Sequence, residues 1–150
     1  VDTLCWPGAH TYKVSEGLLL HLLPLSTDYH LTNYKPDFML TVINLAVDVD
    51  AIFYFDPDIV VTGSWSKYEK WVKCGVALCE DINSPMPNTH PRRIAWRCYF
   101  KLYDVCLKFR DQAYVNGGFV GVCTNNFEFL TVWKSLQEIM APAIGGLQRS

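Results

Sequence analysis

The sequence lacks long apolar runs and basic clusters, and each absence excludes a class of function or partner. Its longest apolar stretches, residues 18–25 and 51–55, are shorter than the roughly 20 residues that a membrane-spanning helix requires. We therefore expect no membrane span. No run rich in lysine and arginine occurs and the net charge is −2. The positive face that a nucleic acid or an anionic membrane surface requires is therefore missing.

Metal-binding cysteine motifs and the commonest enzyme signatures are also missing. The six cysteines form no C-x-x-C pair, and the four histidines lack the spacing of a zinc site. Buried free thiols are the favoured interpretation, and they indicate a reducing, cytoplasmic compartment. Without a Gly-x-Ser-x-Gly, Walker or dinucleotide-binding glycine motif, the commonest hydrolases, ATPases and dehydrogenases are excluded.

What is present predicts one compact domain. Of 150 residues, 50% are hydrophobic and 19% are charged, which is enough apolar material for a single core. Residues 1–34 are the least informative, although residues 18–23 predict a short buried helix or strand. Residues 35–140 form the predicted core, and the glycine-containing tail, residues 141–150, is expected to fray.

Helical and extended patterns alternate through the predicted core. Helical spacing begins at Pro36, Trp65 and Pro91, and again after Asn125 or Asn126. The uncharged residues 51–55 have the pattern of a central strand covered on both faces. Further extended segments cover residues 76–79 and residues 114–122, the latter as one or two strands. This alternation predicts an α/β sandwich with a mainly parallel central sheet flanked by helices.

Acidic residues follow two of the predicted strands. Asp56-Pro57-Asp58 follows residues 51–55, and Glu80-Asp81 follows the next strand. In parallel sheets, ligands bind beyond the carboxyl ends of the strands. Two carboxylates one residue apart point to the same side, and their oxygens suit Mg²⁺ or Mn²⁺ shared with substrate phosphates. A simple turn is the alternative, because Asp and Pro are both common in turns.

The segment Phe53-Tyr54-Phe55-Asp56-Pro57-Asp58-Ile59-Val60-Val61 resembles the aspartate motif of GT-A glycosyltransferases. The wider similarity runs from Lys35 to about Trp133. It includes Lys35-Pro36 at the start of the helix before the motif strand, Asp81 after the following strand, and residues 114–119 (Tyr-Val-Asn-Gly-Gly-Phe). The resemblance implies a GT-A-like, Rossmann-like fold.

The same resemblance implies a ligand set. Asp56 and Asp58 would hold Mn²⁺ or Mg²⁺, and Asp56 would also contact the nucleotide-sugar donor. Asn116 and Gly117 would line the donor and acceptor pocket. Lys35 could neutralise a donor phosphate, or could simply be solvated before its helix.

Two features of GT-A enzymes are not found in the sequence. No strand-helix unit that would bind the nucleoside base precedes Lys35, and no histidine-containing metal motif follows Asn116. We therefore expect a partial or shortened domain with an incomplete sheet.

Other charged residues are weaker candidates for the site. Arg93 and Arg97, with Arg92 and His90 nearby, could grip a diphosphate or an anionic acceptor, or could be a solvated helix start. Asp81, or its neighbour Glu80, could act as a general base on the acceptor or could cap a turn. Asp111 is a second acidic candidate for a catalytic role, although an aspartate in this context is more often a helix-end or loop residue than a catalyst.

The predicted function is metal-dependent transfer of a sugar from a nucleotide-diphosphate sugar to a hydroxyl acceptor. The alternative is a catalytically inactive, truncated GT-A-like domain that serves as a binding or oligomerisation module. Without the nucleoside-binding unit, such a domain would expose a sheet edge and an apolar face. A homodimer could cover both.

Overall fold

The computed structural model describes residues 4–46, 48–109 and 112–149. Two antiparallel strands come first, β1 (His10–Ser15) and β2 (Leu18–Leu22). Helix α1 (Leu31–Leu45), strand β3 (Ala51–Phe55), helix α2 (Trp65–Lys73), strand β4 (Ala77–Glu80) and helix α3 (Pro91–Lys101) follow. Strand β5 (Val115–Cys123), a 3₁₀ turn (Thr124–Asn126) and helix α4 (Glu128–Ile144) complete the described fold.

The predicted mainly parallel sheet is wrong. The strands form two small antiparallel sheets, a hairpin of β1 and β2 and a three-stranded sheet in the order β3, β5, β4. Strand β5 lies in the middle and runs antiparallel to both neighbours. Helix and strand alternation predicts element types but not the order of strands in a sheet, so the insertion of β5 between β3 and β4 could not be inferred from it. The GT-A-like parallel architecture is therefore not supported.

The alternating faces of β5 organise the apolar core. Val120 and Val122 point to one side, where they pack with Met39 of α1 and Leu130 of α4. Phe119 points to the other side and packs with α2 and the start of β4. Since side chains alternate along a strand, one nine-residue strand supplies the core on both faces of the sheet.

Strand β3 has the predicted boundaries but not the predicted position. It was expected in the centre of the sheet, whereas it is an edge strand that pairs only with β5 in the described structure. The Asp56 backbone N–H donates to the Gly118 carbonyl within β5 at 2.8 Å, and the Thr124 N–H, just after β5, donates to the Asp50 carbonyl at 3.0 Å. By the alternation of an antiparallel ladder, Ala51, Phe53 and Phe55 direct their backbone groups to the open edge. A cleft of about 1120 Å³ lies beside this edge and is lined by Ile52 and Phe53 among others.

Two expectations about the segments before and after the predicted core were also wrong. Residues 18–23 were expected to be buried, but Leu18, Leu20 and Leu22 of the hairpin are exposed. The tail was expected to fray, but Leu147 is buried. The Leu147 carbonyl accepts hydrogen bonds from the His30 backbone and from Asn33 Nδ2, both at 2.9 Å. These bonds attach the end of the described chain to the start of α1.

Helix α1 begins earlier than its proline suggests. It starts at Leu31, so Pro36 lies inside the helix instead of at its first position. The His30 Nδ1 atom accepts a hydrogen bond from the Thr32 backbone N–H at 3.3 Å and caps the first turn. Pro36 costs one backbone hydrogen bond within the helix, but the early start places Lys35 on a buried helical face.

The helices of the described residues differ from membrane-spanning segments. None of them has the length and apolar content needed to cross a bilayer. This result agrees with the absence of long apolar runs in the sequence.

Candidate functional site

The candidate site lies where β3 and β4 end and β5 begins. Because β5 is antiparallel to both neighbours, β3 and β4 point the same way and their carboxyl ends meet at one edge of the sheet. We name this region the acidic edge and define it as Asp56, Asp58, Glu80, Asp81 and Asn116. The two acidic pairs, Asp56/Asp58 and Glu80/Asp81, were predicted at strand ends, and this placement does not need a parallel sheet, since a reversed central strand produces the same geometry.

Lys35 forms the only salt bridge with Asp56 in the described structure. Its side chain is buried and its Nζ atom donates to Asp56 Oδ1 at 2.7 Å and to the Gly117 carbonyl at 3.0 Å. The same Nζ atom lies 4.7 Å from the ring centroid of Tyr54, within cation–π range. Lys35 therefore joins α1, β3 and β5 and fixes the Asp56 carboxylate between them.

Tyr54 also holds Asp56. The Tyr54 hydroxyl donates to Asp56 Oδ1 at 2.7 Å. The two residues are two positions apart, so their side chains leave the backbone on the same side. One carboxylate oxygen of Asp56 therefore receives both hydrogen bonds, while Oδ2 has no protein donor among the described residues.

The pKa values of this pair follow from these contacts. Burial by itself raises the pKa of Asp56, but the hydrogen bonds from Lys35 and Tyr54, together with the Lys35 charge, lower it below its ordinary value. Burial raises the pKa of Tyr54, and so do its hydrogen bond to Asp56 and the charges of Asp56 and Asp58. At neutral pH Asp56 is ionised and Tyr54 stays a neutral hydrogen-bond donor.

This pKa shift predicts a loss of stability in acid that depends on Asp56. A carboxyl group with a lowered folded-state pKa stabilises the fold fully above its unfolded pKa of about 3.9, and this stabilisation is lost as pH falls through the folded pKa. We expect Asp56→Asn to be less stable than the wild type at pH 6, and the difference to shrink at pH 3. Urea unfolding at both pH values measures this, and a difference that is independent of pH would contradict it.

Gly118 provides the space that Asp56 occupies. A Cβ atom built on Gly118 would lie 2.8 Å from Asp56 Oδ2 and 2.8 Å from Asn116 Oδ1. Strand pairing changes here, because Leu78 pairs with Val120 whereas Cys79 pairs with Asn116. Gly118 lies in the resulting bulge, which brings the backbone of β5 against the carboxylate.

Gly118→Ala is therefore expected to displace Asp56 and Asn116. Neither side chain can move freely, since Asp56 is held by Lys35 and Asn116 Oδ1 accepts from the Gly118 N–H at 2.6 Å. We expect a loss of about 1–3 kcal/mol in unfolding free energy, the usual range for overpacking. Gly117→Ala is the matched control, because no atom lies within 4 Å of its built Cβ. Urea unfolding of both variants measures the effect, and equal stabilities would show that the carboxylate is not confined.

Asp81 is held by backbone and amide groups. Its Oδ1 atom accepts from the Asn83 backbone N–H at 2.9 Å and from Asn83 Nδ2 at 2.6 Å, and its Oδ2 atom accepts from Asn116 Nδ2 at 3.2 Å. The Asn83 bonds, with smaller contributions from Asn116 and the Arg92 charge, lower the pKa of Asp81. A lowered pKa makes Asp81 a weaker base, while its bond to Asn116 orients that amide.

A cavity of about 410 Å³ opens at the acidic edge. Asp56, Asp58, Glu80 and Asn116 line one part of it. Its volume lies within the range of roughly 300–1,000 Å³ that small-molecule sites occupy. Of the predicted site residues, Asp56, Asp58 and Asn116 therefore share one cavity. Lys35 and Gly117 do not line this cavity. Lys35 Nζ holds Asp56 in place and also donates to the Gly117 carbonyl of β5.

The two predicted donor-binding arginines make structural contacts. Arg93 is buried and donates to the Ala113 carbonyl at 2.7 Å, and Arg97 donates to the Asn88 carbonyl at 2.7 Å. Both guanidinium groups lie over the Phe109 ring. These bonds connect α3 to the loops on either side of it, and neither arginine lines the 410 Å³ cavity. Asp111 lies outside the described residues.

Sequence reasoning missed Tyr54 and Gly118. Side chains alternate along a strand, so the sequence alone places Tyr54 on the same side of β3 as Asp56. The role of Gly118 was not visible, because it depends on the bulge that brings β5 against Asp56. The six cysteines were expected to be buried free thiols. All six are free in the structure, but the expected burial is wrong, because five of them are exposed.

Metal binding by protein ligands alone finds no support in the described residues. They contain no group of three or more His, Cys, Asp or Glu side chains positioned to hold an ion. A cation at Asp56 and Asp58 would take its remaining ligands from water or from substrate phosphates. Such sharing is usual for Mg²⁺, which keeps water and substrate phosphates as ligands.

Comparison with known proteins gives no family assignment. A scan with protein-family models, a search of curated proteins and a search of solved structures each found no match. Function is therefore inferred from the residues of the acidic edge and from its cavity.

Proposed function

We propose that the acidic edge binds Mn²⁺ or Mg²⁺ with a nucleotide-diphosphate sugar, and that the protein transfers the sugar to a hydroxyl acceptor. The observation that carries the proposal is the shared cavity of Asp56, Asp58 and Asn116, with the buried Lys35 directly behind Asp56. A diphosphate and a divalent cation fit such a site because each supplies what the other needs. The phosphate oxygens complete the coordination of the cation, and the cation offsets their charge.

Asp58 is the stronger candidate for a direct metal ligand. Asp56 already places one oxygen in hydrogen bonds with Lys35 and Tyr54, so only Oδ2 is left for a cation. Asp58 is exposed and lines the same cavity. A bound divalent cation would act as a Lewis acid on the leaving diphosphate.

The remaining polar residues would position the substrates. Asn116 has its amide oriented by Asp81 and by the Gly118 N–H, so it is prepared to bind a sugar hydroxyl. Glu80 lines the cavity and is the better-placed carboxylate to accept a proton from an acceptor hydroxyl. The proposed donor contacts of Arg93, Arg97 and Gly117, and the base roles of Asp81 and Asp111, stay predictions.

Nucleotide binding with and without the cation tests the proposal. Isothermal titration of the protein with UDP and with GDP is carried out in Mn²⁺ and again in EDTA. We expect at least one nucleotide to bind at least about tenfold more tightly in Mn²⁺, which corresponds to about 1.4 kcal/mol. Slow, Mn²⁺-dependent hydrolysis of the matching nucleotide sugar would support transferase chemistry. No binding of either nucleotide in Mn²⁺ contradicts the proposal.

The cytoplasm is the compartment that fits this proposal. All six cysteines are free thiols and five of them are exposed. Exposed thiols persist in a reducing compartment, whereas oxidising compartments favour disulfides.

A non-catalytic binding or oligomerisation module is the second candidate. It is favoured by the open edge of β3 and the 1120 Å³ cleft beside it. An exposed strand edge is a template for pairing with another chain. Light scattering after size exclusion separates the candidates when combined with the nucleotide titration. A stable dimer that ignores nucleotides favours the module, and a monomer that binds Mn²⁺ and a nucleotide favours the enzyme.

A further inference from the structure

The wall of the 410 Å³ cavity beside the acidic edge is aromatic. Phe55, Tyr68, Trp71 and Phe119 line it. Trp71 stacks on Phe119 with ring centroids 5.3 Å apart and planes 29° apart. Phe119 contacts Phe55 and Tyr68 at 5.1 and 5.8 Å between centroids. The polar residues of the acidic edge and these aromatic residues therefore line the same cavity.

Trp71 is the exposed member of this aromatic wall. Helix α2 buries Val72 against the sheet, and Phe119 is 5% exposed, whereas Trp71 keeps 41% of its surface exposed. Its ring is supported from behind by Phe119 and belongs to a short helix anchored on the core. A large, rigid ring at a cavity wall offers contact area at little entropic cost to a ligand that can stack on it.

The chemistry around Trp71 suits a sugar ring. A pyranose has an apolar face of C–H groups and a rim of hydroxyl groups. Its C–H face can pack on an indole, and its hydroxyls can donate to the carboxylates of Glu80 and Asp58 and bond with Asn116. A nucleobase could also stack, but it offers fewer donors to a wall with two carboxylates.

We propose that the aromatic wall binds the pyranose ring of a carbohydrate, with Trp71 as the stacking surface and Glu80 and Asn116 bonding its hydroxyls. The role of this carbohydrate rests on the proposed function: in a sugar transferase, it would be the hydroxyl acceptor, so the acceptor is itself a sugar. The acceptor stacks on α2 and the diphosphate binds at Asp56 and Asp58, so both reactants meet in one cavity.

Sugar binding in the absence of metal and nucleotide tests this proposal. Saturation-transfer NMR is recorded with the methyl pyranosides of glucose, galactose and mannose, on wild type, Trp71→Ala and Trp71→Phe. We expect at least one pyranoside to bind the wild type, Trp71→Ala to weaken it at least about tenfold, and Trp71→Phe to retain most of the affinity because an aromatic face remains. Glu80→Gln changes an exposed residue, and we expect it to weaken sugar binding several-fold.

UDP binding in Mn²⁺ identifies the occupant of the wall. We expect Trp71→Ala to leave UDP affinity within about twofold of wild type. If it lost UDP as strongly as sugar, a nucleobase would occupy the wall and the proposal would be wrong. No binding of any pyranoside to the wild type, or unchanged sugar affinity in both Trp71→Ala and Glu80→Gln, would also overturn it. Because the sugar measurement contains no nucleotide, failure of both UDP and GDP to bind in Mn²⁺ would contradict the proposed function and leave the sugar result standing.

Discussion

Asp58→Ala is expected to weaken Mn²⁺-dependent UDP binding by at least about 100-fold, or about 2.7 kcal/mol. Asp58 is exposed, lines the cavity and has no protein hydrogen-bond donor among the described residues. It is therefore the carboxylate that is free to bind a cation. Without it, Asp56 Oδ2 is what remains of the two proposed carboxylate ligands, and the diphosphate loses most of its bridge to the protein. Isothermal titration in Mn²⁺ and in EDTA measures the loss.

Two comparisons make the Asp58 result specific. Asp28→Ala removes another exposed carboxylate, in the segment between β2 and α1, and is expected to bind UDP as the wild type does. The thermal midpoint of Asp58→Ala should stay near that of the wild type, since surface substitutions usually change stability by less than about 0.5 kcal/mol. If Asp58→Ala bound UDP normally in Mn²⁺, the assigned metal ligand would be wrong.

Lys35→Met is expected to cost about 2–4 kcal/mol in unfolding free energy. The Lys35 side chain is 7% exposed, and its loss leaves the Asp56 carboxylate and the Gly117 carbonyl without their shared donor. Removing one member of a buried ion pair usually costs about 3–5 kcal/mol. The expected cost is lower here because the Asp56 side chain is 34% exposed and water can replace part of the interaction.

Lys101→Met is the matched control for Lys35→Met. Lys101 is exposed at the end of α3, so its replacement should change stability by less than about 0.5 kcal/mol. Urea unfolding compares both variants with the wild type. A double-mutant cycle with Asp56→Asn should show that the combined loss is smaller than the sum of the single losses. Additive losses would mean that the two side chains do not act as a pair.

Local structure was largely predictable from the sequence. The uncharged β-branched and aromatic residues of Ala51–Phe55 gave the observed bounds of β3, and the apolar spacing of Trp65–Lys73 gave those of α2. The strand order could not be predicted, because it depends on where β5 inserts after α3. Pro36 misplaced the start of α1, because a helix can accept proline when buried contacts compensate for the lost hydrogen bond.

The candidate site was predictable where it depended on sequence spacing. Asp56, Asp58 and Asn116 were identified from strand ends and from a resemblance, and they do share a cavity. Lys35 was placed before a helix, whereas it lies inside one and is buried against Tyr54 and Asp56. Its burial follows from packing between α1 and the sheet, which a single chain segment does not encode. The aromatic wall likewise appears only when α2 and β5 are brought together.

The bond between Lys35 and the Gly117 carbonyl joins residues that are 82 positions apart. Such a contact exists only when the sheet and α1 are assembled, so the unfolded chain has no partial version of it. A small molecule that binds there therefore recognises the folded state alone. At 100 times its dissociation constant it would add about 2.7 kcal/mol to the stability of the whole chain, so a rise in melting temperature can report occupancy even where no reaction is detected.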